Sequence, residues 1–288
     1  MTYSFWWDDV RSPRVTCRSR GRTTGVMAFR GIRGLLFDVS GVLYEGGSSG
    51  PVAIPGSVDA VRRVREAGLP LRFCTNESQT TRVILATKLQ GLGFDICSED
   101  ILSPAPAVCR ILRERNLRPH LLVYPDALPE YHGIDLRDPN CVVIGDAAKY
   151  FTYDRLNEAF QLLINLPRPL LFSLGNGKYY KETDGLKLDV GAFTCALEYA
   201  CNIKAEVVGK PSPAFFTAAV QELQLEPCQV AMIGDDLVSD VGGAQNCGLL
   251  GILVRTGKFR PEDEHHPGVT PHTVVDDLNA AVSLILEE

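Results

Sequence analysis

The chain has 288 residues, 45% of them hydrophobic, enough for about two ordinary domains with their own cores, so disorder throughout is excluded. With 29 Lys plus Arg against 35 Asp plus Glu, the formal charge is −6, which leaves no global positive field to hold nucleic acid or an anionic membrane. The longest apolar runs, such as Leu249 to Val254, fall far short of the ~18 residues of a membrane span. A soluble protein with no nucleic-acid and no membrane partner is expected.

Residues 1–30 carry six Arg against two Asp, a net +4 that leaves −10 for the rest. We read 1–30 as a disordered or alternative N-terminal extension, with Met27 as a second start. The competing reading is an Arg-rich transit peptide, for which Trp6-Trp7-Asp8-Asp9 is atypical. A strand is predicted over 34–39. Gly46-Gly47-Ser48-Ser49-Gly50 follows as a flexible loop where a gate would sit, then a helix over 57–67 with Ser57 as N-cap and Gly68 as its stop. Next come a strand over 69–74, a helix over 104–115, strands over 141–144 and 169–174 with a helix over 154–165 between them, and a helix over 190–201. Strands over 205–208, 230–233 and 251–254, with helices over 213–223 and 276–286, complete the pattern. Short apolar runs alternating with helical periodicity predict an α/β protein built on a parallel sheet. Boundary candidates at Ser103-Pro104-Ala105-Pro106 and over 202–206 enclose an inserted segment, giving a core of 31–107 and 203–288 and an insert of 108–202.

Four expected strand ends carry complementary polar groups. Phe37-Asp38-Val39-Ser40-Gly41 places an acid before a tight turn, and Cys74-Thr75-Asn76-Glu77-Ser78 a hydroxyl and an amide before a helix, where an anion is favoured. Gly209-Lys210-Pro211 supplies one cation, and Gly234-Asp235-Asp236-Leu237-Val238-Ser239-Asp240 a second acidic cluster. Each alone has a structural explanation as a cap or a solvated loop. Together they supply a carboxylate nucleophile, phosphate donors and oxygen ligands for Mg²⁺.

In this order the motifs resemble those of the haloacid dehalogenase superfamily of Mg²⁺-dependent phosphatases, and the long insert resembles the α/β cap of its nitrophenylphosphatase-like branch. The resemblance implies a Rossmann-like parallel-sheet core with an inserted α/β cap domain. It makes Asp38 the nucleophile of an aspartyl-phosphate and assigns substrate binding to Asp38, Val39, Ser40, Thr75, Asn76 and Lys210. It places Mg²⁺ on Asp38, Asp235 and the Ser40 carbonyl, with Asp236 or Asp240 orienting ligands or water. It also implies a homodimer in the cytoplasm, with the nucleus as a second compartment.

Ser40 departs from the superfamily pattern, which has there a second Asp that protonates the leaving group and then activates water. A positioned acid or base is worth about 10²–10⁴ in rate, so ordinary alkyl phosphate esters should be poor substrates. A phosphoramidate such as phosphohistidine or phospholysine can be protonated on its own nitrogen, and pyrophosphate leaves as a stabilised anion. The resemblance implies the same partners: small phosphates such as pyrophosphate, or proteins carrying phosphohistidine or phospholysine. The alternative is a weakened phosphatase kept as a phosphohistidine- or phospholysine-binding interaction protein. A phosphoacceptor receiver domain uses similar groups, but the motif order and the large insert argue against it.

The remaining candidates are weaker. Lys178, Tyr179, Tyr180 and Lys181 combine aromatic faces with charge, suited to an imidazole or a phosphate tail, yet also fit a plain hairpin with solvated lysines, and Asp184 and Asp189 are similar cases. Gly175-Asn176-Gly177 lacks the third glycine of a dinucleotide fingerprint, and Gly257-Lys258-Phe259 the spacing of a nucleotide phosphate loop. The five histidines read as surface-loop residues. The nine cysteines, with no Cys-x-x-Cys pair, read as buried hydrophobes of a reducing compartment, Cys74 being the one to watch.

Overall fold

The computed structural model describes residues 29–47 and 50–287. The expectation for 1–30 lies outside these residues except at Phe29 and Arg30, as does the Ser48-Ser49 tip of the expected gate loop. The first run is β1 (Gly34–Phe37), a hairpin of β2 (Tyr44–Glu45) and β3 (Val52–Ala53), α1 (Ser57–Glu66), β4 (Leu71–Cys74), α2 (Arg82–Gly91), β5 (Ile101–Leu102) and α3 (Pro104–Glu114). Then come β6 (Pro119–Leu122), β7 (Cys141–Ile144), α4 (Tyr153–Asn165), β8 (Leu171–Ser173), a hairpin of β9 (Tyr179–Glu182) and β10 (Gly185–Leu188), α5 (Val190–Cys201) and β11 (Glu206–Val207). The last run is α6 (Pro213–Leu223), β12 (Val230–Gly234), α7 (Gly243–Asn246), β13 (Leu250–Val254), β14 (Thr273–Val275) and α8 (Leu278–Leu286).

Two parallel sheets result, a six-stranded one in the order β14-β13-β12-β1-β4-β5 and a four-stranded one in the order β11-β8-β7-β6. Successive side chains of a strand point to opposite faces, and here both faces are covered. Leu35 and Phe37 pack with Val61 of α1, Leu85 of α2 and Val282 of α8, whereas Leu36 packs with Phe216 and Val220 of α6. The smaller sheet repeats the arrangement: Cys141 and Val143 meet Val108 and Leu112 of α3, while Val142 and Ile144 meet Ala159, Leu163 and Leu197 of α4 and α5. This two-sided burial is why the strands read as unbroken apolar runs.

Since α3 packs on the smaller sheet and β11 forms its edge, the elements of the cap run from Pro104 to Val207, wider at both ends than the 108–202 expected. Ser57 is not the cap of α1. Gly56 takes that place at φ 79, and Ser57 Oγ lies 2.6 Å from Ile54 O and 2.9 Å from Leu43 O, tying the helix to the turn after β1. One histidine is not in a surface loop: His120 lies in β6, whereas His272 sits in an exposed bend before β14, where its Nδ1 accepts a hydrogen bond from Gly251 N–H at 3.1 Å. Among the described residues, no helix is long and apolar enough to cross a membrane, and every described cysteine is free.

In the larger sheet, β1 has β4 on one side and the much later β12 on the other. Connections depart in opposite senses there, so a crevice opens beyond the carboxyl ends of the strands. Asp38, Thr75 and Asp235 are the residues that directly follow β1, β4 and β12.

Candidate active site

Sheet geometry fixes these residues through their backbones. Asp38 N–H donates to Ile233 O at 2.9 Å, and Thr75 N–H to Leu102 O at 3.0 Å, so each side chain leaves a strand that is still paired. Lys210 enters from the segment returning out of the cap. Its Nζ lies 2.6 Å from both Asp38 Oδ1 and Asp240 Oδ1, with only 3% of the side chain exposed. Burial by itself lowers the pKa of this ammonium, but Asp240 and Asp38 outweigh it and hold the pKa above the usual lysine value. Lys210 is therefore a fixed cation.

Oxygens of Asp38, Asp235 and Asp240 lie within 4.8 Å of one another. Asp235 Oδ2 accepts from Lys258 N–H at 2.8 Å, whereas its buried Oδ1 has no hydrogen-bond partner among the described residues. Burial first, and then the neighbouring Asp38, raise the Asp235 pKa, and the same two causes raise that of Asp240. A buried carboxylate oxygen without a partner is costly, and an all-oxygen set of three acids around one ammonium fits a hard divalent cation. Asp236 is occupied otherwise. Its Oδ1 accepts from Val238 N–H (3.0 Å) and Ser239 N–H (2.8 Å), and its Oδ2 pairs with Lys258 Nζ at 2.9 Å. Burial opposes ionisation there, but Lys258 and the Ser239 hydrogen bonds outweigh it and pull the pKa to about 2. Of the two acids left open by the sequence, Asp240 joins the cluster and Asp236 holds the loop.

Asp38, Ser40, Thr75, Asn76, Lys210 and Asp235 line one cavity of about 300 Å³ between the two sheets. Val39 does not: its side chain is wholly buried in the core, so any part it takes in binding runs through its backbone. The Asn76 amide is engaged with protein, since Nδ2 donates to Lys210 O at 2.9 Å and Oδ1 accepts from Lys210 N–H at 2.8 Å. It clasps the backbone that carries the buried ammonium. Thr75 Oγ1 accepts from Glu77 N–H at 3.0 Å, which leaves its hydroxyl proton to give.

Several residues here were not singled out in the sequence. Gln79 Nε2 donates to Asp146 Oδ2 at 2.6 Å and reaches Tyr180 Oη at 3.4 Å, while Asp146 N–H donates to Ser78 Oγ at 2.9 Å. The loop bearing Thr75 is thus strapped to the cap. Lys258, considered above only as part of a nucleotide loop, lines the cavity and pairs with Asp236. Gly257 before it has φ 60, and a Cβ there would overlap Asp235 Oδ2 and Gly41 Cα, so only glycine lets the loop come this close. From the β9–β10 hairpin, Tyr180 and Lys181 face the cavity, Lys181 lies 3.6 Å from Glu45, and Tyr179 stacks under Arg260 at 4.9 Å; Lys178 is exposed. Cys74 is fully buried, and burial pushes its thiol far up, which leaves it unreactive.

A family model described as haloacid dehalogenase-like hydrolase matches residues 35–135, and a HAD-hydrolase-like model matches residues 207–281. The phospholysine phosphohistidine inorganic pyrophosphate phosphatase of Xenopus laevis is 60% identical over 257 residues, covering 89% of this chain and 95% of its own. The protein of that name from Homo sapiens is 56% identical with the same coverage. Among solved structures, the 4-nitrophenylphosphatase of Thermotoga maritima superposes with a TM-score of 0.79 at 25% identity, covering 90% of this chain and 99% of that one.

Proposed function

The chain belongs to the haloacid dehalogenase-like hydrolases and is a phosphatase, and from that premise we propose that it hydrolyses P–N bonds and inorganic pyrophosphate through an aspartyl-phosphate on Asp38. The observation that carries this reading is the Asp38 carboxylate itself, buried at the switch point of the sheet with Lys210 Nζ 2.6 Å from Oδ1. The ammonium holds the Asp38 carboxylate in place as a nucleophile and faces the charge of an incoming phosphoryl group. The Thr75 hydroxyl donates to a phosphoryl oxygen, and Asn76 fixes Lys210 from behind. Asp38, Asp235 and the Ser40 carbonyl would hold Mg²⁺, with Asp240 steadying the set. The chemistry Mg²⁺ supplies there is neutralisation of the phosphoryl oxygens.

Ser40 lines the cavity but cannot act as an acid near neutral pH. Substrates whose leaving group departs as a neutral nitrogen base or as a stabilised phosphate lose least by that. The names of the relatives from Xenopus laevis and Homo sapiens point to the same classes. With Mg²⁺ present, release of phosphate from phosphoimidazole and pyrophosphate should exceed release from a simple alkyl phosphate by about 10²-fold or more. Tight binding of a phosphohistidine peptide with no turnover of any of these substrates would contradict the reading and favour an interaction protein.

A further inference from the structure

With Ser40 where an acid would act, position 40 gives the leaving group no proton. Asp189 lines the same cavity from the cap side, where it is the N-cap of α5. Its Oδ1 accepts from Val190 N–H at 2.6 Å, while its Oδ2 accepts no hydrogen bond among the described residues. Oδ2 lies against Gly177, itself part of the cavity wall, where a Cβ would overlap it. The Gly175-Asn176-Gly177 turn, unexplained by any dinucleotide motif, thus makes room for a carboxyl group. The charged groups facing Asp189 come from three loops: Lys258 after β13, Asp146 after β7 and Glu77 after β4. None of them forms an ion pair with it among the described residues, and Lys258 is engaged by Asp236. Burial raises the Asp189 carboxyl to about 6, with Asp146 and Glu77 acting in the same sense and the Val190 N–H and Lys258 opposing.

We propose that Asp189 is the proton donor to the leaving group, supplied by the cap in place of the acid that position 40 lacks, and that it serves nitrogen leaving groups. The proposal rests on Asp38 as nucleophile. In the first half-reaction a carboxylate oxygen of Asp38 bonds to phosphorus, the P–N electron pair goes to nitrogen, and that nitrogen takes the proton of Asp189, so that neutral imidazole or amine departs. In the second, water attacks the phosphorus of the aspartyl-phosphate and gives its proton to the Asp189 carboxylate, which frees phosphate and restores both acids. An acid of this strength is matched to an imidazole nitrogen, whose pKa is about 6.5, and far from an alkoxide. Asp189 therefore helps P–N cleavage without restoring alkyl-ester hydrolysis.

Asp189→Asn tests this in the full chain with Mg²⁺, because Asn caps a helix as well as Asp but carries no acid proton. Imidazole release from phosphoimidazole should fall by about 10²-fold or more, mainly in kcat, with a smaller loss for pyrophosphate. The limb near pH 6 in the wild-type profile should vanish, and Asp189→Glu should recover part of the rate. Unchanged phosphoimidazole turnover and pH profile in Asp189→Asn would overturn the proposal. So would equal losses on both substrates with the profile retained, since Asp189 would then only hold α5. Asp38→Asn run alongside separates the two readings: turnover surviving there removes the nucleophile, whereas an inactive Asp38→Asn beside an unaffected Asp189→Asn removes the donor alone.

Discussion

Lys210, buried, and Lys258, half-buried, are two cations held in different ways, and the difference gives them different work. Lys210 sits between acids of the cavity, so its charge is available to a phosphate, while Lys258 is matched to Asp236, an acid already accepting two backbone N–H bonds. The Asp236 pair belongs to stability. The Asp236 pKa falls from 3.8 to about 2 on folding, so its contribution is complete above about pH 4 and is lost as pH falls through 2. Asp236→Ala takes the paired carboxylate from the half-buried Lys258 ammonium and should cost about 2 kcal/mol near pH 7, read by denaturant unfolding, with the gap to wild type closing on acidification. At this scale Asp38, Thr75, Lys210 and Asp235 were legible, because each stands at the end of an apolar run or of a Gly-Pro turn. The choice between Asp236 and Asp240 was not, since it turns on which oxygen a backbone N–H or a lysine 22 residues away has already taken.

The strap between the Thr75 loop and the cap belongs to whole elements. Gln79 joins the segment between β4 and α2 to the ends of β7 and β9 through Asp146 and Tyr180. Gln79→Ala should lower kcat/KM about tenfold for all substrates alike, because it loosens the seat of the cap without touching the chemistry. Gln79→Glu should lose more at pH 8 than at pH 5, because it sets a second carboxylate against Asp146, as steady-state kinetics at the two pH values would show. The sequence showed the central strands plainly and showed less where burial is one-sided or polarity mixed. In α2 the buried Leu85, Ala86 and Leu89 stand beside exposed Val83 (62%) and Ile84 (48%), so no clean apolar stripe appears. The β6 strand begins with Pro119-His120, which reads as a turn, and β9–β10 carries lysines and tyrosines that pointed to a hairpin only as one of two readings.

For the molecule as a whole, the chain leaves the larger sheet after Leu102 and returns after Val207, and both passages lie beside the groups proposed as catalytic. Thr75 N–H is bonded to Leu102 O, and Asn76 clasps the returning Lys210. Any shift of the cap is therefore felt by the residues proposed to hold phosphate, which suits a site where the larger sheet supplies the nucleophile and the cap the leaving-group proton. The α/β class and the parallel sheet could be read from periodicity alone. The limits of the cap were misplaced by a few residues at each end, because a helix and a strand at a crossing look the same in sequence whichever sheet they pack on.

The central claim is that phosphoryl groups pass through Asp38. Acid quenching of the enzyme during turnover of phosphoimidazole with Mg²⁺, followed by peptide mass analysis, tests it directly. One phosphoryl group on the peptide containing Asp38, absent in Asp38→Asn together with all phosphate release, is the predicted result. Phosphate release at the wild-type rate from Asp38→Asn, or a phosphoryl group trapped on another residue, would contradict it.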